Sequence, residues 1–140
     1  MSAHSPDSEE LFNDFVVTLR SSADRDGYRV EQVFGQAHLI SVEGSRRATL
    51  NVRTDAQNHG WWGFTKNVEA DLRHAGRKWL LVLLCATPGD GYLLSDVEVF
   101  SAKTRWSDAG QQYHIHPQQL RESWRFRGVE QAWSRIRRLI

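Results

Sequence analysis

Asn51 and Arg53 stand two residues apart in the stretch Ala48-Thr-Leu-Asn-Val-Arg-Thr54, where Ala48, Leu50, Val52 and Thr54 alternate with Thr49, Asn51 and Arg53. A period of two marks a strand with one buried face, so the amide and the guanidinium project from the same, polar side. Such a pair can hold a phosphate or carboxylate, the guanidinium through its planar fork and the amide as donor or acceptor. The loop that follows ends in Trp61 and Trp62 between Gly60 and Gly63. Two adjacent tryptophans call for a packing or binding role, so this segment is the first expected at a binding site.

Other residues offer chemistry in weaker patterns. His114 and His116 are spaced to share one side of a strand, as in some zinc sites. A zinc would need further ligands brought by folding, with His59, His74 or Glu98 as candidates, and surface histidines are the plainer reading, so no metal is assigned. Arg125, Arg127, Arg135 and Arg138 are interleaved with Trp124, Phe126 and Trp133, and Arg46 and Arg47 precede the central strand. Guanidinium groups on phosphate and aromatic faces on bases are how nucleic-acid surfaces are built. The competing explanation is that Trp124 and Trp133 lie on apolar helix stripes and that arginines in a last helical turn answer the macrodipole. Ser41, Ser95 and Ser101 lack the glycines of a nucleophile elbow. Gly89-Asp90-Gly91 has no phosphate-loop pattern around it and reads, with Pro88, as a tight turn. Cys85 ends the most apolar run, where a small core residue is expected.

The elements that must position these groups belong to a chain of 140 residues with 40% hydrophobic and 25% charged residues, which suits one soluble domain over residues 8–140 after a disordered lead-in at 1–7. No apolar run approaches the roughly 20 residues of a membrane span, and no signal-peptide pattern opens the chain, so no membrane partner and a cytoplasmic location are expected. The net charge is only +1, but residues 1–31 hold seven acids against three arginines, and residues 117–140 hold six arginines against Glu122 and Glu130. A one-sided cationic surface is therefore compatible with a near-neutral sum.

Asp7 and Glu10 have capping-box spacing, and Leu11, Phe12, Phe15, Val16 and Leu19 form one helical stripe, which predicts a helix ending near Ser21. Tyr28 to Phe34, a tight turn at Gly35-Gln36, Ala37 to Glu43 and the central strand predict an antiparallel meander, with Gly44 to Arg47 as the second hairpin loop. Phe64, Val68, Leu72 and Ala75, closed by Gly76, predict a second helix. Lys78 to Cys85 has no alternation and suits a strand buried on both faces, parallel to the central one because a helix intervenes. Tyr92 to Phe100 reads as a fifth strand toward an edge, Ser101 to Gln112 as loop and Tyr113 to His116 as an extended segment. Pro117 opens a short helix through Leu120 and Trp124, and after Gly128 a last amphipathic helix carries Val129, Ala132, Trp133, Ile136 and Ile140. The fold class is thus mixed α/β, with a roughly five-stranded sheet flanked by helices.

The α-β-β-β-α-β order over roughly residues 8–100 resembles the core of the restriction-endonuclease-like superfamily, the PD-(D/E)XK nucleases and their inactive relatives. That resemblance implies an acid at the end of the second strand, placed here at Glu43. It also implies a third-strand triplet of Glu or Gln, an apolar residue and Lys, placed here at Asn51-Val52-Arg53. In the superfamily these hold a divalent metal and a water. An Asn carbonyl is a poor substitute for a carboxylate on Mg²⁺, and Arg53 is a worse proton carrier than Lys, so the resemblance implies a degenerate site. In some members the acid migrates to the following helix, and Glu69 with Lys66 would then serve an active Mg²⁺-dependent nuclease. The expectation is a nucleic-acid-binding, nuclease-like domain without cleavage and without a cofactor. DNA is the expected ligand, with Arg46, Arg47, Arg53 and the C-terminal arginines on phosphate and Trp61 or Trp62 on a base. The alternatives are the active nuclease, and a protein-interaction or immunity-like module serving a partner or homodimer without nucleic-acid contact.

Overall fold

The computed structural model describes residues 7–33, 38–55, 60–86 and 89–140. The Asp7 side chain accepts from the Glu10 N–H at 2.8 Å and starts α1, Ser8–Arg25. Its stripe of Leu11, Phe12, Phe15, Val16 and Leu19 is buried as the spacing predicts. The helix runs a turn beyond Ser21, because Ala23 is also fully buried and Ser22 donates to Glu130 of the last helix at 2.8 Å. Tertiary contact there outweighs the turn preference of Ser-Ser-Ala-Asp.

β1 (Arg29–Gln32), β2 (Leu39–Glu43) and β3 (Arg47–Thr54) form the antiparallel meander. The expected turn at Gly35-Gln36 and the strand end at Phe34 lie outside the described residues, as do His59 and Pro88. β5, Trp79–Leu84, lies parallel to β3, pairing Leu50 with Leu80 and Val52 with Val82, and all six of its residues are buried. The continuous apolar run is thus a central strand covered on both faces. Before it come β4 (Trp62–Thr65) and α2 (Lys66–His74), so Trp62 and Phe64 belong to a strand where a loop and a helix start were expected.

β6, Asp90–Ser95, pairs antiparallel with β5 and stops five residues short of the expected Phe100. Asp96–Ala102 is a helix, α3. Val97, Val99 and Phe100 favour a strand by composition, but Ser95 and Glu98 close a capping box that satisfies two backbone donors. Val99 and Ala102 face the core. The expected loop contains a short strand, β7 (Ser107–Asp108), which pairs with β8 (Gln112–Ile115), itself paired with β4. Pro117–Gln119 and Glu122–Trp124 are two 3₁₀ turns in place of one short helix. Arg125–Arg127 then joins the main sheet as β9 beside β6, and α4, Val129–Leu139, closes the chain.

The main sheet therefore has six strands in the order β1-β2-β3-β5-β6-β9, with a second sheet β4-β8-β7. One face packs Ile40, Leu50, Val52, Leu80 and Phe126 against α1 and α4. The other packs Leu39, Leu81, Leu83 and Leu94 beneath the small sheet, α2 and α3, with Trp62, Phe64, Trp79, Trp106 and Trp124 in that layer. No helix among the described residues is long and apolar enough to cross a membrane.

Candidate functional site

Alternation along β3 puts Ala48, Leu50 and Val52 into the α1/α4 core, and Asn51 and Arg53 together on the opposite face. That face, expected to be polar and available to a ligand, is a covered layer. Asn51 is 1% exposed, and its carbonyl oxygen has no hydrogen-bond partner. Arg53 donates from Nε to the Gly63 carbonyl of β4 at 2.7 Å, and burial pulls its pKa below the usual guanidinium value. The Trp-Trp segment is what covers them, because Trp62 is a core residue whose indole N–H donates to the Leu84 carbonyl at 2.8 Å. Replacing Asn51 by Leu exchanges a buried, unpaired carbonyl for an apolar group of similar size. The unfolding midpoint of Asn51→Leu is expected to hold or rise, since an unsatisfied buried acceptor costs roughly 1–3 kcal/mol; calorimetry checks this.

Both acids implied by the nuclease resemblance are engaged by cations. Register places Leu39 opposite Asn51 and Glu43 opposite Arg47, so Glu43 lies four residues further along, about 13 Å at strand spacing. It is ion-paired with Arg77 at 3.9 Å. Glu69 is buried and bound by Lys103 at 3.0 and 3.1 Å. Lys66 is engaged by Asp108 at 2.7 and 2.8 Å. His114 lies 3.1 Å from the Gln112 amide nitrogen and stacks on Trp61 with ring centroids 4.1 Å apart, while His116 is bonded through its backbone to Gln119. No group of three His, Cys, Asp or Glu able to hold a metal exists among the described residues.

The expected phosphate contacts are dispersed. Arg46 donates to the Ile140 carbonyl at 2.9 Å beside the last turn of α4, which carries Arg138, and Arg47 is exposed at the start of β3. Arg125 lies over the Tyr92 ring at 5.1 Å, Arg127 meets Glu122 at 3.4 Å, and Arg135 is held by Glu98 at 3.3 Å and by the Ser123 carbonyl. Cys85, the free thiol, is partly buried against the second core layer, and burial first of all pushes its pKa up. Alkylation of Cys85 by iodoacetamide at neutral pH is expected to run slower than that of a solvated thiol, because the thiolate is the nucleophile; mass spectrometry of quenched samples reads the rate.

A more coherent surface forms around α3, which the strand reading had hidden. Val97 and Phe100 are 71% and 64% exposed, two of three large apolar side chains so placed among the described residues. They form a ridge with a cleft on each flank. One, of about 370 Å³, is lined by Glu98, Arg105, Gln119, Arg121 and Trp124. The other, of about 320 Å³, is lined by Glu69, Arg73, Arg77, Trp79 and Asp96. Each carboxylate in these linings is claimed by a cation from outside them: Glu69 by Lys103, Asp96 by Lys78 at 2.8 Å and Glu98 by Arg135. Four arginines remain, two to a cleft, and among the described residues only Arg73 and Arg77 of these approach acids, at the outer limit of 3.9 Å. The Ser95-x-x-Glu98 pattern is the signal that could have found this helix in the sequence.

The chain matches no known family model and no curated protein sequence.

Proposed function

We propose that the chain is a nuclease-like nucleic-acid-binding domain that does not cleave, and that it binds through the α3 ridge rather than through the third-strand triplet. The element order, with β3 and β5 parallel across α2, supports the restriction-endonuclease-like reading of the fold. The observation that carries the function is the gathering of Arg73, Arg77, Arg105 and Arg121 in the clefts beside an exposed aromatic, Arg105 and Arg121 without an ion-pair partner among the described residues, on a chain whose whole charge is only +1. Cations concentrated on one face attract a polyanion even when the sum is near neutral. Cleavage loses its support because Glu43 stands about 13 Å along the sheet from Asn51 and both Glu43 and Glu69 are engaged by cations.

Fluorescence anisotropy with a labelled 20-nucleotide strand tests the reading. Three to four phosphate contacts on a single strand give a slope of about −2 to −3 in log affinity against log salt, so raising salt from 50 to 200 mM should weaken binding roughly 20- to 50-fold. Arg105→Ala and Arg121→Ala should each make that slope shallower by about one contact. Salt-independent binding, or none, defeats the proposal and turns attention to a protein partner at the same ridge. Incubation with Mg²⁺ or Mn²⁺ should leave plasmid intact, whereas cutting that is lost in Glu43→Ala and Glu69→Gln would restore the enzyme reading.

A further inference from the structure

We infer that the ligand of the α3 ridge is single-stranded nucleic acid, gripped by a base stacked on Phe100 with its flanking phosphates on the arginines of the two clefts. The inference rests on the nucleic-acid reading above and narrows it.

Phe100 is the one exposed large aromatic among the described residues, on a helix of seven residues, about 10 Å long. Its ring is backed by Lys103, whose ammonium stands 5.0 Å from the ring centroid and is fixed in turn by buried Glu69. A side chain so held is an oriented platform rather than a free rotor. Such a platform binds through the face of a base. In a duplex those faces are hidden in the stack, and only edges and phosphates are presented, so Phe100 could be used only after a base is pulled out or a step is unstacked. A single strand offers its faces at no such cost.

Shape agrees with this chemistry. A narrow ridge between two hollows suits a chain that arches over it, with neighbouring bases entering the clefts. At about 370 and 320 Å³ both clefts reach the range of small-molecule pockets, roughly 300–1,000 Å³. Aromatic residues line both clefts, Trp79 on one side and Trp124 on the other. Arg121 lies over the Trp124 ring at 5.7 Å, so its guanidinium is oriented at the rim of its cleft.

The test compares three fluorescein-labelled 20-mers of one mixed sequence, as DNA strand, RNA strand and DNA duplex, at one salt concentration with the full chain. At least one single strand should bind tenfold or more tightly than the duplex. Phe100→Ala should weaken that binding roughly 5- to 150-fold, the span set by losing one stacked base. Phe100→Tyr should restore it, and Phe100→Leu should not. Because Phe100 is largely exposed, these variants should keep the parent's unfolding midpoint, which circular dichroism checks. Equal or tighter duplex binding, or an unchanged affinity in Phe100→Ala, overturns the single-strand inference while leaving nucleic-acid binding in place. Absence of binding to all three probes overturns the reading beneath it as well.

Discussion

Glu69→Ala is expected to lower the stability of the fold by roughly 3–5 kcal/mol. The Glu69 side chain is 4% exposed and its partner Lys103 17% exposed, so both charges have left most of their water. The attraction between them offsets that desolvation, and deleting the acid leaves a mostly buried ammonium without its countercharge. Arg73, one helical turn away at 3.9 Å, would face the same gap. Glu69→Gln keeps the shape and an acceptor and should cost less. Urea denaturation separates this from a catalytic role: a metal-binding acid removed from a degenerate or active nuclease site would leave the midpoint high and change cleavage alone, whereas here the loss should appear in the midpoint itself. Lys103→Met, which removes the ammonium but keeps the stem against Phe100, should be similarly costly because it strands Glu69 instead.

Gly91→Ala is expected to destabilise by about 3 kcal/mol or more, lowering the thermal midpoint on the order of 10 °C. A Cβ at this position would stand 2.2 Å from the Leu83 carbonyl oxygen, 3.1 Å from its carbon and 2.9 Å from the tip of Phe126. The first two are backbone atoms of the central strand β5, so the clash cannot be relieved by a rotamer. Gly91 lies between Leu84 on one side and Phe126 on the other, and any retreat from β5 pushes into β9. This glycine therefore answers a need for space and not for a left-handed backbone. Gly110→Ala makes the contrast: its φ is +86° but nothing lies within 4 Å, so only conformational strain is at stake.

What could be read in the sequence, and what could not, follows from the range of each interaction. The stripe of α1, the alternation of β3 and the unbroken apolar run of β5 are local patterns, and their elements formed where the patterns lie. α3 was missed because Val97, Val99 and Phe100 favour a strand, and the capping box that overrides them is a two-residue signal. β9 and the small sheet depend on partners far along the chain, which no window can contain. The candidate site failed for a more particular reason. Alternation revealed which face Asn51 and Arg53 share, but not that Trp62 and β4 would cover it. Spacing found an acid at the end of β2, yet a tight hairpin pairs that end with the start of β3, which carries Glu43 away from Asn51.

The late arrival of β9 has a bearing on how the chain must be handled. Until residues 125–127 dock, the outer ladder of β6 is bare, and Phe126, Trp133 and Ile136 are missing from the layer they complete with α1. A chain shortened before Arg125 would offer neighbouring molecules an unpaired strand beside exposed oil, the template from which intermolecular β-structure grows. The last sixteen residues of this protein thus cover an edge that would otherwise favour self-association.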